Sequence, residues 1–163
     1  MAPLLWQCRQ VQRLRSRAQF QAVLAGRVLA RTPHFVLHQA RLRANASPTA
    51  EAKAAPARAA LFAVDDVWLG AMVPKRWARR AVTRNTIKRQ IYAVGLSGES
   101  RMTRAAHLVR LRAEFARAQF VSATSTALRK AVRAELDTLF AQAAHPSMPA
   151  AASRPPTTQE PRP

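Results

Sequence analysis

The chain has few acidic residues. Of its 163 residues eight are Asp or Glu and 27 are Lys or Arg, which gives a formal net charge of +19. Residues 1–50 contain eight arginines and no carboxylate side chain. A charge of this size attracts polyanions, either nucleic acid or an anionic membrane surface, but it does not specify a fold.

Cysteine and long apolar runs are also scarce. The single Cys8 excludes an intramolecular disulfide and fits a reducing compartment. The first ten residues have no basic segment followed by a long apolar run, so we expect no signal peptide. No stretch of about 18 consecutive apolar residues occurs, which predicts no membrane-spanning helix. The cytoplasm is therefore the expected location.

Signatures of a self-sufficient enzyme are lacking. The sequence has no G-x-S-x-G motif, no Walker phosphate loop and no Cys/His cluster with metal-ligand spacing. Asp65 and Asp66 are the only adjacent carboxylates, and neighbours in a turn diverge too readily for a reliable Mg²⁺ site. His34 and His38 would lie about 13 Å apart on a strand, too far to share an ion. We therefore predict no catalytic residue and no metal bound by the protein itself.

The most informative feature present is the segment from Lys75 to Tyr92, which has no carboxylate. Its seven cations are Lys75, Arg76, Arg79, Arg80, Arg84, Lys88 and Arg89. On a helix, an exposed basic side would be formed by Arg84, Asn85, Lys88 and Arg89, and an apolar stripe by Ile87, Ile91 and Val94. Like charges four residues apart destabilise an isolated helix by roughly a few tenths of a kcal/mol per pair. We therefore expect the compensating charge to come from a bound polyanion.

The hydrophobic pattern predicts one domain over residues 1–142. The predicted helices are a first helix capped by Ser16 and ending near Gly26, the basic helix at 78–94 ended by Gly95 and Gly98, and a final helix at 122–141. The predicted strands lie at 33–40, 58–64, 67–73 and 106–111. This order, α-β-β-β-α-β-α, predicts an α+β fold with a single four-stranded sheet and helices over one face. The Ala/Pro/Ser/Thr-rich residues 43–57 are expected to form a mobile insertion, and residues 143–163 a disordered tail.

The stretch VPKRWARRAVTRNTIKR resembles the signature of the bacterial ribonuclease P protein family. That signature has a basic pair, an Ala, an Arg-Asn pair and a Lys-Arg pair at fixed offsets. Here they fall on Lys75 and Arg76, Ala81, Arg84 and Asn85, and Lys88 and Arg89. Thr86 and Tyr92 depart from the pattern, since the family usually has arginine at both positions. So many fixed offsets in one short window make the resemblance specific.

The resemblance implies a fold and a mode of action. The implied fold is a sandwich like that of some ribosomal proteins, in which the basic helix belongs to a left-handed crossover, contrary to the usual rule. The implied function is to assist a catalytic RNA subunit, which uses its own Mg²⁺ to remove the 5′ leader from precursor tRNA. The protein would bind no cofactor itself. The residues implied to bind RNA are Lys75, Arg76, Arg79, Arg80, Arg84, Asn85, Lys88 and Arg89.

The resemblance also implies a cleft for the 5′ leader. The stretch RLRSRAQFQAVLAG resembles the opening helix of the family, whose aromatic residues help to line that cleft. The residues assigned to the cleft are Phe20, Leu24, His38, Arg110 and Arg112. Pattern alone favours core packing for Phe20 and Leu24.

Two other functions would also explain the basic charge. A ribosomal or other structural RNA-binding protein of related fold would share the charge and the sheet, but it need not have the Arg-Asn-x-x-Lys-Arg spacing. A basic module that binds membrane surfaces would need bulky apolar residues opposite the cations. The predicted basic helix has only Ile87, Ile91 and Val94 there, which a sheet can cover, so no membrane partner is expected.

Overall fold

A computed structural model describes residues 11–42, 60–97, 102–116 and 125–145. Its elements are β1 (Gln12–Arg13), α1 (Arg17–Leu24), β2 (Arg27–Arg31), β3 (Phe35–Ala40), β4 (Trp68–Met72), α2 (Ala81–Ser97), β5 (Ala106–Leu111) and α3 (Thr126–Ala144). The strands form one mixed sheet in the order β1-β4-β5-β3-β2. Strand β3 is antiparallel to β2 and β5, whereas β4 is parallel to β1 and β5. The predicted α+β class is confirmed.

The predicted number and order of strands are wrong, because the sheet has five strands rather than four. Strand β1 has only two residues, and the apolar residues of β2, RVLAR, are consecutive rather than alternating, so the pattern identifies neither strand. The strand predicted at 58–64 does not form in its described part, where Ala60 and Leu61 are helical. A short apolar run fits a strand or a helical turn equally well, and here the Leu61 carbonyl accepts a hydrogen bond from Gln19 Nε2 at 2.9 Å. The predicted insertion at 43–57 lies outside the described residues.

Helices cover both faces of the sheet, not one as predicted. Helices α2 and α3 pack on the first face, where the core includes Phe35, Leu37, Leu69, Ile87, Ile91, Val109, Leu136 and Leu139. Helix α1 packs on the second face, against β3 and β5. The core on that side includes Leu14, Val23, Ala40, Leu42, Phe62, Trp68 and Leu108. Strands β3, β4 and β5 therefore contribute alternate side chains to two separate cores.

Helix α2 joins the parallel neighbours β4 and β5 and lies on the first face. Its predicted apolar stripe is confirmed, since Ile87, Ile91 and Val94 are all buried. Gly95 does not end the helix as predicted. It is buried inside α2, where a Cβ atom would clash with Leu69 Cδ2, so its role is close packing on the sheet. The left-handed sense of this crossover remains a prediction, and Gly98 lies outside the described residues.

Side-chain caps fix the starts of α1 and α3. Ser16 Oγ accepts a hydrogen bond from the Gln19 N–H at 3.2 Å, and Gln19 Oε1 accepts one from the Ser16 N–H at 3.1 Å, so the predicted cap is confirmed. Helix α3 begins after Ser125, later than the predicted residue 122, and extends through Ala144, past the predicted domain end at 142. Residues 146–163 of the predicted tail lie outside the described residues.

Candidate RNA interface

A basic loop precedes α2. The Pro74 carbonyl accepts hydrogen bonds from the N–H groups of Trp77 at 3.1 Å and Ala78 at 3.2 Å, which closes a turn. The side chains exposed around this turn are Lys75, Arg76, Arg79 and Arg80. They lie on the loop rather than on the helix, because α2 begins at Ala81 and not at residue 78 as predicted. The first turn of α2 has no acidic residue, so its positive end adds to the potential of the loop.

Arg84 connects this loop to the helix. Its Nη1 donates to the carbonyl oxygens of Ala78 at 3.0 Å and Arg79 at 2.7 Å. The residue is half-buried, so it is less exposed than Lys88 and Arg89, with which it was predicted to share an exposed side. The contacts show that Arg84 holds the loop in place; a direct contact with RNA remains a prediction.

The remaining basic residues of α2 border a groove beside the edge strand β1. We call it the α2 groove; its volume is about 530 Å³ and its lining is Arg13, Asn85, Lys88, Arg89, Tyr92, Ala93 and Leu96. The Arg13 guanidinium lies 4.3 Å from the centroid of the Tyr92 ring. In the described part of the chain, Arg13, Lys88 and Arg89 form no ion pair with a carboxylate. The groove therefore presents cations whose charge no described carboxylate neutralises.

A second arrangement of predicted residues lies on the opposite face of the sheet. Phe20 and Leu24 of α1 are half-buried against the second core. Arg110 pairs in register with Val36, two residues from His38 on β3, so His38 and Arg110 lie on the same face. We call the surface formed by Phe20, Leu24, His38 and Arg110 the sheet-face cleft. Arg112 is exposed just beyond β5, and its N–H donates to the His34 carbonyl at 2.8 Å.

His38 and Arg110 each have one polar atom that makes no hydrogen bond to the described residues. Among the described residues, His38 Nδ1 and Arg110 Nε are buried and make no hydrogen bond. Burial lowers the pKa of His38, and the positive charges of Arg110 and Arg31 lower it further. A neutral His38 imidazole near the positive charges of Arg110 and Arg31 provides a ring nitrogen and positive charge for an anionic ligand.

Sequence comparison identifies the family. The family model described as Ribonuclease P matches residues 9–141, which is most of the chain. The chain belongs to the ribonuclease P protein family. The matched range contains the basic loop, the α2 groove and the sheet-face cleft. The predicted family is confirmed, and with it the predicted class of function, an RNA-binding protein component of ribonuclease P.

Named relatives of the family agree with this assignment. The chain is 36% identical over 132 residues to the ribonuclease P protein components of Bordetella parapertussis and Bordetella bronchiseptica, covering 81% of this chain and 91% of each relative. It is 35% identical over 147 residues to that of Ralstonia pickettii, covering 90% of this chain and 89% of the relative.

Solved structures of the ribonuclease P protein from Staphylococcus aureus share the fold. One matches with a TM-score of 0.52 at 20% identity and covers 81% of this chain and 94% of the other. A second has the same TM-score and identity and covers 82% and 90%. At this level of identity the similarity supports the architecture only.

Two arginines that sequence reasoning did not assign lie at these surfaces. Arg13 reaches the α2 groove from β1, and Arg31 of β2 is close enough to His38 to lower its pKa. Arg13 lies in β1 and Arg31 in β2, the two strands that the hydrophobic pattern did not predict. Nothing in the sequence therefore indicated that these arginines lie at the two surfaces. In the described ranges, no cluster of three or more potential metal ligands occurs. None of the helices in those ranges is long and apolar enough to cross a bilayer.

Proposed function

We propose that the chain assists the catalytic RNA of ribonuclease P in removing the 5′ leader from precursor tRNA. One observation carries this proposal. Lys88 and Arg89 lie on the outer side of α2 without ion-pair partners among the described residues, while the inner side is buried on the sheet. A rigid helix therefore presents cations at fixed spacing to a polyanion.

The two surfaces support two RNA contacts at once. The basic loop and the α2 groove bind phosphates of the catalytic RNA, which requires cations more than base-specific groups. The sheet-face cleft binds the single-stranded leader, because Phe20 and His38 offer rings for base stacking and Arg110 offers charge for phosphates, to which Arg112 adds from just beyond β5. The surfaces lie on opposite sides of the sheet, so one domain can join catalyst and substrate.

The RNA subunit carries the chemistry in this proposal and holds the Mg²⁺ that the reaction uses. The protein contributes binding: it neutralises phosphates that would otherwise repel one another when two RNA molecules approach. The proposed location is the cytoplasm. The left-handed crossover, a single domain that ends with α3 at Ala144 rather than at 142, and a disordered tail after it belong to the same proposal.

Reconstitution with a bacterial ribonuclease P RNA tests the function. Release of the leader from precursor tRNA would be measured at a low Mg²⁺ concentration at which the RNA alone is slow. We expect the protein to accelerate release strongly, because its cations replace part of the screening that Mg²⁺ provides. No acceleration, despite binding of the RNA, would contradict the proposal and favour a structural RNA-binding protein of related fold.

A vesicle-binding assay tests the membrane alternative. The purified protein would be mixed with anionic vesicles and, separately, with structured RNA at the same ionic strength. The buried apolar stripe of α2 leaves no bulky apolar surface for insertion on that helix. We expect RNA binding to persist at salt concentrations that abolish any vesicle binding.

A further inference from the structure

Strand β1 brings a cation to the α2 groove that does not belong to α2. Gln12 and Arg13 pair in parallel with Trp68 and Leu69 at the edge of the sheet. The N–H of Gln12 donates to the Val67 carbonyl at 2.8 Å, and that of Leu14 donates to the Leu69 carbonyl at 3.1 Å. Arg13 is thus held between two backbone hydrogen bonds, and its side chain is directed toward α2.

Tyr92 fixes the position of this cation. The Arg13 guanidinium lies 4.3 Å from the centroid of the Tyr92 ring, within the range of a cation–π contact. Tyr92 is half-buried and packs against the first core, so its ring is a firm support. A guanidinium that contacts the ring with one face keeps N–H groups at its edge available to donate to two oxygens of a phosphate.

The groove around the stacked pair fits a phosphate backbone. Lys88 lies one helical turn before Tyr92, Arg89 lies beside Lys88, and the amide of Asn85 lines the same groove. In the described ranges no carboxylate pairs with Arg13, Lys88 or Arg89. Three cations from two separate elements therefore converge on one space that is open to solvent.

From this arrangement we propose that Arg13, held by Tyr92, is a further RNA-binding residue and that it binds a phosphate of the catalytic RNA together with Lys88 and Arg89. The inference rests on the proposed function. Position 92 lies on the same side of α2 as Lys88 but holds a tyrosine, so α2 supplies no cation there. The role proposed for Arg13 explains how the groove still has a third cation. The charge comes from β1 instead of from the helix.

The salt dependence of binding to a bacterial ribonuclease P RNA tests the proposal. Wild type would be compared with Arg13→Gln, which removes the charge at similar size, and with Arg133→Gln, a matched change at an exposed arginine of α3. Loss of one phosphate contact should reduce the slope of log K against log[salt] by about 1. Between 50 and 200 mM salt, affinity should then fall about 3.5-fold less than for wild type. Arg133→Gln should leave the slope unchanged.

Variants at Tyr92 separate RNA binding from a merely structural role for Arg13. We expect Tyr92→Phe to keep the ring and the wild-type slope, and Tyr92→Ala to reduce the slope because Arg13 loses its support. Adding Tyr92→Arg to Arg13→Gln should restore the slope, since it returns a cation to the groove without repairing β1. Failure of this rescue, with thermal unfolding of Arg13→Gln lowered, would mean that Arg13 only fastens β1 to α2.

Two outcomes distinguish a wrong function from a wrong role for Arg13. If the wild-type protein does not bind the ribonuclease P RNA, the proposed function itself is wrong. If it binds with a steep salt dependence and Arg13→Gln has the same affinity and slope, only the assignment of Arg13 is overturned.

Discussion

The stability of the fold should depend on pH through His107, which no part of the RNA interface uses. Its side chain is 1% exposed, and its Nε2 lies 3.1 Å from Gln39 Nε2. The Gln39 Oε1 accepts hydrogen bonds from Arg27 Nε at 3.0 Å and Arg27 Nη2 at 2.7 Å, which orients the amide. The amide nitrogen can only donate, so His107 Nε2 must accept and the ring is neutral.

Protonation of His107 would break this arrangement. Burial lowers its pKa from 6.5 to about 4; the charge of Arg27 acts in the same direction, and backbone contacts with Trp68 and Ala105 oppose it. Because the pKa is lower in the folded chain, the unfolded chain binds the extra proton between pH 6.5 and about 4. Stability is therefore lost as the pH falls through this window. From pH 7 to pH 5 the loss should be about 2 kcal/mol.

Urea unfolding of wild type and His107→Gln at pH 7 and pH 5 measures the contribution of His107 to the pH dependence of stability. Glutamine keeps an acceptor near the position of Nε2 but has no proton to gain. The variant can be less stable than wild type at both pH values. Its free energy of unfolding should nevertheless fall by about 2 kcal/mol less than that of wild type between pH 7 and pH 5. Other titrating groups, His38 among them, are present in both proteins and cancel in the comparison. Equal losses in the two proteins would refute the assignment of a buried, neutral His107.

Two further predictions concern the fold and the sheet-face cleft. Overpacking costs about 1–3 kcal/mol, and the loss in free energy of unfolding for Gly26→Ala should lie near the upper end of this range. The added Cβ would meet the backbone carbonyl of Gln39, which cannot move aside as a side chain could. An unchanged midpoint of urea unfolding would contradict this prediction. Phe20→Ala should weaken the binding of leader-bearing precursor tRNA more than that of mature tRNA, because the proposed role of Phe20 is to stack on leader bases. Competition binding measures the two affinities, and equal losses for the two RNAs would show that Phe20 does not recognise the leader.

Long periodic segments of this sequence predict the structure well. The apolar stripe of α2 and the Leu128, Val132 and Leu136 repeat of α3 are buried as helical spacing requires. The Ser16 cap is where the capping residues indicate. These features depend on local spacing alone, which a single sequence shows directly.

Other features depend on contacts between distant segments, and the sequence does not show them. Strand β1 exists only because β4 offers it an edge, and Gly95 looks like a stop signal until Leu69 is placed against it. Arg84 resembles an exposed cation by spacing, but its guanidinium bonds to carbonyls of the preceding loop. The basic character of the interface was predictable, whereas the contribution of Arg13 and the structural contacts of Arg84 were not.

We infer that the α2 cations that pair with no carboxylate in the described part of the chain bind RNA phosphates. The most direct test of this central claim is the salt dependence of binding to the ribonuclease P RNA, for wild type and for the double variant Lys88→Ala, Arg89→Ala, with Arg84 kept because it holds the loop. If about five to seven phosphates are neutralised, the wild-type slope of log K against log[salt] should be about −3 to −6. The double variant should fold normally and have a slope closer to zero by about 2. A wild-type slope near zero, or an unchanged slope in the double variant, would contradict the claim.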